Sequence, residues 1–259
     1  MKLFLFLTLF FLSLTFSGCE TEYNTALHKQ DTLLFGEDKE RSLGASVAFS
    51  IDKKSKINTE LDVNERVKKI LRKIVAVCDR QDLVYTIRVI DEDELNAFSL
   101  PGGYIYIYKG LIDKVDNDDQ LAGVIGHEVA HVVAKHTLKR LQAAYGVSML
   151  EVGAAASRQG ALASGINLTA ASIFYQNSRE DEFQADKLGL KYMVLAGYNP
   201  NQMKEMLSKL LTSQTKLGPR AMSYWRSHPY IPLRIAKVDE LVGGKNQFRS
   251  YLNLTGEEK

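Results

Sequence analysis

The chain has 259 residues, 45% of them hydrophobic, enough to bury one sizeable core as a single domain. The 33 Lys and Arg stand against 31 Asp and Glu. No basic stripe is interleaved with aromatics, so a nucleic-acid partner is excluded. Two cysteines, Cys19 and Cys78, are too few for a disulfide framework or a Cys-based metal site.

The chain opens with Met1-Lys2, an apolar run from Leu3 to Phe16, then Ser17-Gly18-Cys19. This resembles a bacterial lipoprotein signal over residues 1–18, with Cys19 as the lipidated residue, and it implies export to the periplasmic face of a membrane. An ordinary secretory signal or an uncleaved anchor helix is the alternative, although the run is short for a membrane span. Residues 19–35 read as a polar, irregular tether, and residues 36–259 as the folded domain. Gly36 to Asp52 carries Leu43, Val47 and Ile51 at four-residue steps and is expected to be helical. Thr59 to Arg80 is a stronger amphipathic helix, with Cys78 as a buried thiol. Val84–Ile90, Asn96–Leu100 and Tyr104–Tyr108 read as three short extended segments, the last two joined by the turn Pro101-Gly102-Gly103. A long apolar helix follows the N-cap candidates at Asp116 to Asp119 and is expected to run to about Gln142. The small-residue stretch 143–175 reads as a mobile cover or a packed helix pair, interrupted by too many polar residues for a membrane hairpin. Helices are expected from about Ala171 to Ala196, from Asn201 to Lys216 and from Pro232 to Leu241. The fold class is α+β, mostly α-helical around a small three-stranded sheet.

Three of the five histidines fall between positions 127 and 136. In a helix, His127 and His131 lie on one face, one turn apart, and suit two corners of a tetrahedral Zn²⁺ site. Glu128 stands beside them as a base for water activated there. A third ligand is needed from another element. Glu182 and Asp186, also one turn apart, fit a ligand and an acceptor for the far nitrogen of a ligating His. Glu180 and Asp181 read as solvated. His136 lies about 500° past His131 on a continuous helix, off the ligand face, and reads as structural.

Gly126-His127-Glu128-Val129-Ala130-His131, together with Ser178-Arg179 and then Glu182, Ala185 and Asp186, closely resembles the gluzincin family that includes the HtpX, Oma, BepA-like and LoiP-like proteases, peptidase family M-forty-eight. Leu95 to Gly103 looks like that family's edge-strand signature. Ser227-His228-Pro229 with Arg234-Ile235 looks like its C-terminal signature, and Gly36 to Gly44 resembles its first helix. The resemblance covers roughly residues 36 to 242. It implies a zincin-like domain holding one Zn²⁺ on His127, His131 and Glu182, with Glu128 catalytic. It tips Gly103, Tyr104, Ile105 and Tyr106 toward receiving an extended substrate as an added strand. It also places His228 near the metal, as an oxyanion donor or as a resting fourth ligand. Arg234 reads as a buried ion-pair former. The implied substrates are unfolded or misassembled envelope proteins. A zinc-dependent chaperone or assembly factor with latent proteolysis is the second reading.

Overall fold

A computed structural model describes residues 20–144, 177–217 and 223–243. The expectations for the signal sequence, for Cys19 and for residues 145–175 lie outside these. The chain opens with an antiparallel hairpin, β1 (Glu20–Asn24) and β2 (Lys29–Leu33), followed by helices α1 (Glu37–Lys54) and α2 (Leu61–Val75). Strands β3 (Thr86–Ile90), β4 (Ala97–Ser99) and β5 (Tyr104–Tyr108) come next, then the short α3 (Lys109–Lys114) and the long α4 (Asp118–Val133). Residues 136–144 are helical again (α5). The last elements are α6 (Arg179–Leu195), α7 (Asn201–Leu217), α8 (Ser223–Ser227) and α9 (Ile231–Gly243). The expected mostly helical α+β class is what forms. Among the described residues no helix is long and apolar enough to cross a membrane.

The sheet has the order β3-β5-β4, with β3 parallel and β4 antiparallel to β5. Helix α2 packs on it through Val67, Ile70, Leu71 and Ile74, the one-face spacing of an amphipathic helix. Each such buried side chain contributes about 1.5–3 kcal/mol by leaving water. The helix ends at Val75, earlier than expected, because the Gln81 side chain donates to the Val75 and Cys78 carbonyls and turns the chain. Cys78 is buried, as expected.

Helix α4 is the spine of the domain. The side-chain oxygen of Asn117 caps it by accepting from the Gln120 N–H at 2.9 Å, and every residue from Gln120 to Val133 is buried. It crosses α6 at two glycines. A Cβ on Gly189 would lie 3.1 Å from the His127 nitrogen and 3.2 Å from the Gly126 carbonyl carbon. Backbone therefore touches backbone there, and the turns of α6 just before Gly189 are brought against His127.

Two expectations are corrected. Residues 20–35 are not irregular: they form the β1–β2 hairpin, with Asn24, Asp31 and Leu33 buried. Asn24 Nδ2 donates to the Val133 carbonyl at the end of α4, and Lys139 pairs with Asp31 at 2.7 Å. The hairpin's alternation is weak because its buried positions are mostly polar, satisfied by long-range partners. The zinc-motif helix also does not run unbroken to Gln142. It stops at Val133, and Lys135 takes the left-handed φ of 58° before the helix restarts.

Candidate active site

His127 and His131 are on α4 and present their Nε2 atoms 3.0 Å apart. Glu182 comes from α6, whose first turn is set by a capping box in which Ser178 Oγ accepts from the Asp181 N–H and Asp181 accepts from the Ser178 N–H. Its carboxylate lies 3.5 Å from His127 Nε2 and 3.4 Å from His131 Nε2. His228, in the turn between α8 and α9, adds Nδ1 at 3.3 Å from His127 Nε2 and 3.1 Å from Glu182 Oε1. All four residues are at most 3% exposed. One ligand atom from each lies within 4.8 Å of every other, so the group could hold a metal ion.

The donor chemistry fits. Four ligands placed tetrahedrally at zinc–nitrogen and zinc–oxygen bond lengths stand about 3.3 Å apart. Three imidazole nitrogens and a carboxylate converge here at 3.0–3.5 Å. Among the described residues Glu182 Oε2 makes no aligned hydrogen bond, and its counter-charge is Arg234 Nη1 at 2.6 Å.

Around this group a second set of contacts fixes the rings. Asp186 Oδ1 is 2.9 Å from His127 Nδ1, as the one-turn spacing from Glu182 predicts. Arg234, from α9, donates to both Asp186 oxygens at 2.6 and 2.7 Å and lies 2.6 Å from Glu182 Oε2. It is the expected ion-pair former, and it also ties a metal-facing carboxylate to the acceptor behind His127. Burial pushes the Glu182 and Asp186 carboxyls up, yet Arg234 and the histidines hold both below the usual carboxylate range. Burial and Arg234 oppose a proton on His127, but Asp186 and Glu182 outweigh them and raise it to about 9. A metal ion held by this group would have to displace that proton.

Glu128 is 1% exposed, and among the described residues neither carboxylate oxygen has a hydrogen-bond partner. Its Oε1 is 3.3 Å from His228 Nε2. Glu180 stands outside the group and accepts a hydrogen bond from Gln184.

The strand assignment is corrected. Gly103 is a buried turn residue, and Tyr104, Ile105 and Tyr106 belong to β5, the middle strand. Both hydrogen-bonding sides of β5 are taken, by β3 and by β4, so it has no edge to offer a peptide. Among the described residues β4 has no strand on its outer side, but that side is not open: Ala97 is 0% and Ser99 5% exposed. Tyr108 N donates to Asn96 O, and Leu100 N donates to Tyr104 O. By antiparallel alternation, Asn96, Phe98 and Leu100 turn their peptide groups to β5, and Ala97 and Ser99 turn theirs outward. That edge runs from Leu95, whose carbonyl accepts from Tyr224 N, to Ser99, whose carbonyl accepts from Thr137 Oγ. Its two ends thus touch the elements that carry His228 and His136.

Asn177 was missed from sequence, and His136, read there as structural and off the ligand face, stands beside His131. His136 Nδ1 is 2.8 Å from His131 Nδ1. Asn177 Nδ2 lies 2.5 Å from Glu182 Oε1, 3.2 Å from His228 Nδ1 and 3.4 Å from His131 Nε2. The only local signal for Asn177 is its place just before the Ser178 cap.

The sequence profile of peptidase family M48 matches residues 62–242, which takes in all of these donors. The chain belongs to peptidase family M48. It is 32% identical over 174 residues to the mitochondrial metalloendopeptidase OMA1 of Schizosaccharomyces pombe, covering 67% of this chain and 51% of that protein. It is 27% identical over 159 residues to the beta-barrel assembly-enhancing protease of Escherichia coli K12, covering 57% of this chain and 32% of that one. The OMA1 of Saccharomyces cerevisiae is 25% identical over 260 residues, covering 92% of this chain and 75% of the yeast protein. The chain therefore spans about half of the first relative and about a third of the second. The group that could hold a metal ion, His127, His131, Glu182 and His228, lies within the matched residues.

The assignment of Glu182 has a direct test. Glu182→Ala is expected to drop metal content from about one ion per chain to near none, whereas Glu180→Ala keeps it. Metal analysis of the dialysed variants decides. Retention by the first and loss by the second would move the third ligand to Glu180.

Proposed function

We propose that this chain is a zinc-dependent endopeptidase that uses His127, His131 and Glu182 as metal ligands and Glu128 as general base. The observation that carries the reading is the pairing of a convergent buried donor set with an unpartnered buried carboxylate one residue along the same helix. Zinc in such a set is a Lewis acid that makes water acidic enough to lose a proton near neutral pH. Glu128 takes that proton and later delivers it to the leaving amine. Asp186, held by Arg234, keeps His127 in the tautomer whose Nε2 faces the metal group. An extended substrate adds as a strand to β4 through the outward peptide groups of Ala97 and the Ser99 N–H once that buried side is uncovered, the Ser99 carbonyl being taken by Thr137.

His228 supports a second reading. Its Nδ1 stands with the ligand atoms, and a fourth protein donor closes a site that catalysis needs open. In this reading the resting chain is latent and acts first as an assembly factor, with displacement of His228 opening it.

The substrates we propose are unfolded or misassembled envelope proteins, a reading supported by the name of the Escherichia coli relative. The site of action we propose is the periplasmic face of a bacterial membrane, with Cys19 lipidated. The deciding experiment is digestion of unfolded casein by the full chain, with and without a zinc chelator. Chelator-sensitive cleavage supports the peptidase. Absence of cleavage with zinc bound supports the latent reading.

A further inference from the structure

His136 lies off the ligand face of a continuous helix, but the helix is not continuous. Lys135 breaks it with a left-handed φ, an unusual conformation for a residue with a side chain. The break is held from outside: Lys135 Nζ pairs with Glu22 of the hairpin and lies 4.0 Å from Glu40 of α1. The chain restarts with His136 turned back toward the metal group, and its Nδ1 comes within 2.8 Å of His131 Nδ1. On its far side, His136 Nε2 is 3.2 Å from Gln184 Oε1 and 3.5 Å from Asp181 Oδ1. Gln184 Nε2 donates in turn to Glu180 Oε1 at 2.9 Å. Both histidines are 2% exposed.

The hydrogen-bond directions along this chain are forced. An imidazole that offers its Nε2 lone pair to a metal carries its proton on Nδ1. His131 therefore donates from Nδ1, and His136 must accept at Nδ1. His136 then carries its own proton on Nε2 and donates to Gln184 Oε1. Gln184 is left with its amide nitrogen facing Glu180, which is how the structure orients it. Each link has one donor facing an acceptor, with Asp181 Oδ1 as a second, more distant acceptor for His136 Nε2.

We infer that His136 is a positioning residue for His131: by accepting the Nδ1 proton it fixes the tautomer and ring orientation that turn Nε2 into the metal group, and Gln184 fixes His136 in its turn. The inference rests on the reading of His131 as a metal ligand. It also makes the two ligands on α4 unequal. His127 leans on a carboxylate, Asp186, and His131 leans on a neutral ring. A carboxylate partner raises ligand basicity more than a neutral acceptor does.

The test compares His136→Asn with His136→Leu in the full chain. The Asn Oδ1 stands near the position of Nδ1 and accepts the same hydrogen bond; Leu fills the space and cannot. Zinc affinity is read by competition with a chromophoric chelator, and ligand geometry by the visible spectrum of the cobalt(II)-loaded chain. Leu is expected to weaken zinc binding by about 10- to 100-fold and to shift the cobalt bands, with Asn restoring both to within about threefold of the parent. Gln184→Met lies outside the ligand set and removes the nearer of the two outer acceptors, leaving Asp181 Oδ1 at 3.5 Å. It is expected to weaken binding by a smaller factor, about threefold to tenfold, without changing the thermal stability of the metal-free chain, so the inference stays testable if the Leu variant does not fold. Equal losses in Asn and Leu would reduce His136 to packing, and parent-like binding in Leu or in Gln184→Met would overturn the relay. A parent chain that binds neither zinc nor cobalt would instead sink the metal-centre reading itself.

Discussion

Glu128→Gln is expected to slow peptide cleavage by at least about 100-fold while leaving the metal in place. The substitution keeps the side chain's volume and removes only its ability to take a proton. Glu128 is 1% exposed and touches none of the four donors except through the 3.3 Å approach of its Oε1 to His228 Nε2. Among the described residues neither oxygen accepts a hydrogen bond, His228 is its one ion-pair neighbour, and Arg234, the guanidinium paired with the site's other carboxylates, is committed to Glu182 and Asp186. A group left this free on a buried helix is there for a transient partner. General-base assistance is worth about 10²–10⁴ in rate, or about 2.7–5.4 kcal/mol of barrier. Casein digestion and metal analysis on the same preparation check both halves. Activity within about tenfold of the parent would remove Glu128 from the proton path. Loss of metal would mean that it supports the site structurally.

The parts of this site that are legible in sequence are those fixed by local geometry. His127 with His131, and Glu182 with Asp186, are pairs one turn apart, and any helix through them puts each pair on one face. The parts that are not legible depend on contacts far along the chain. His136 is excluded by helix periodicity and readmitted only because Lys135, held by Glu22 and Glu40, breaks the period. Tyr104 to Tyr108 has the composition of a strand and is one, but whether a strand is central or at an edge is set by its neighbours. Here β3 and β4 arrive from both sides. The hairpin from Glu20 to Leu33 conceals its inward face because polar residues, Asn24 and Asp31, occupy buried positions and are satisfied by α4 and α5. The crossing of α4 and α6 is written in Gly126 and Gly189, yet each glycine alone says only that space is short.

Arg234→Leu is expected to cost about 3–5 kcal/mol of stability in the metal-free chain. Arg234 is 1% exposed and bridges two carboxylates that are equally buried, at 2.6–2.7 Å. Leucine approximates the aliphatic part of the side chain and leaves Glu182 and Asp186 facing each other across an apolar gap. The pH dependence separates this account from simple loss of packing. In the parent, both carboxyls are held below their ordinary values, so their contribution is complete above the ordinary carboxylate range and is lost as pH falls through the depressed values. Without the guanidinium, burial is left as the largest influence and pushes both carboxyls up. The variant then gains relative stability as acid neutralises them. The deficit should therefore be widest near neutral pH and narrower at about pH 5, read by urea unfolding at each. Asp186→Asn combined with Arg234→Leu should recover part of it, since one unpaired charge is then removed. A deficit that is the same at both pH values, or below about 1 kcal/mol, would show that Arg234 is held by shape, and that the two carboxylates find their counter-charge elsewhere.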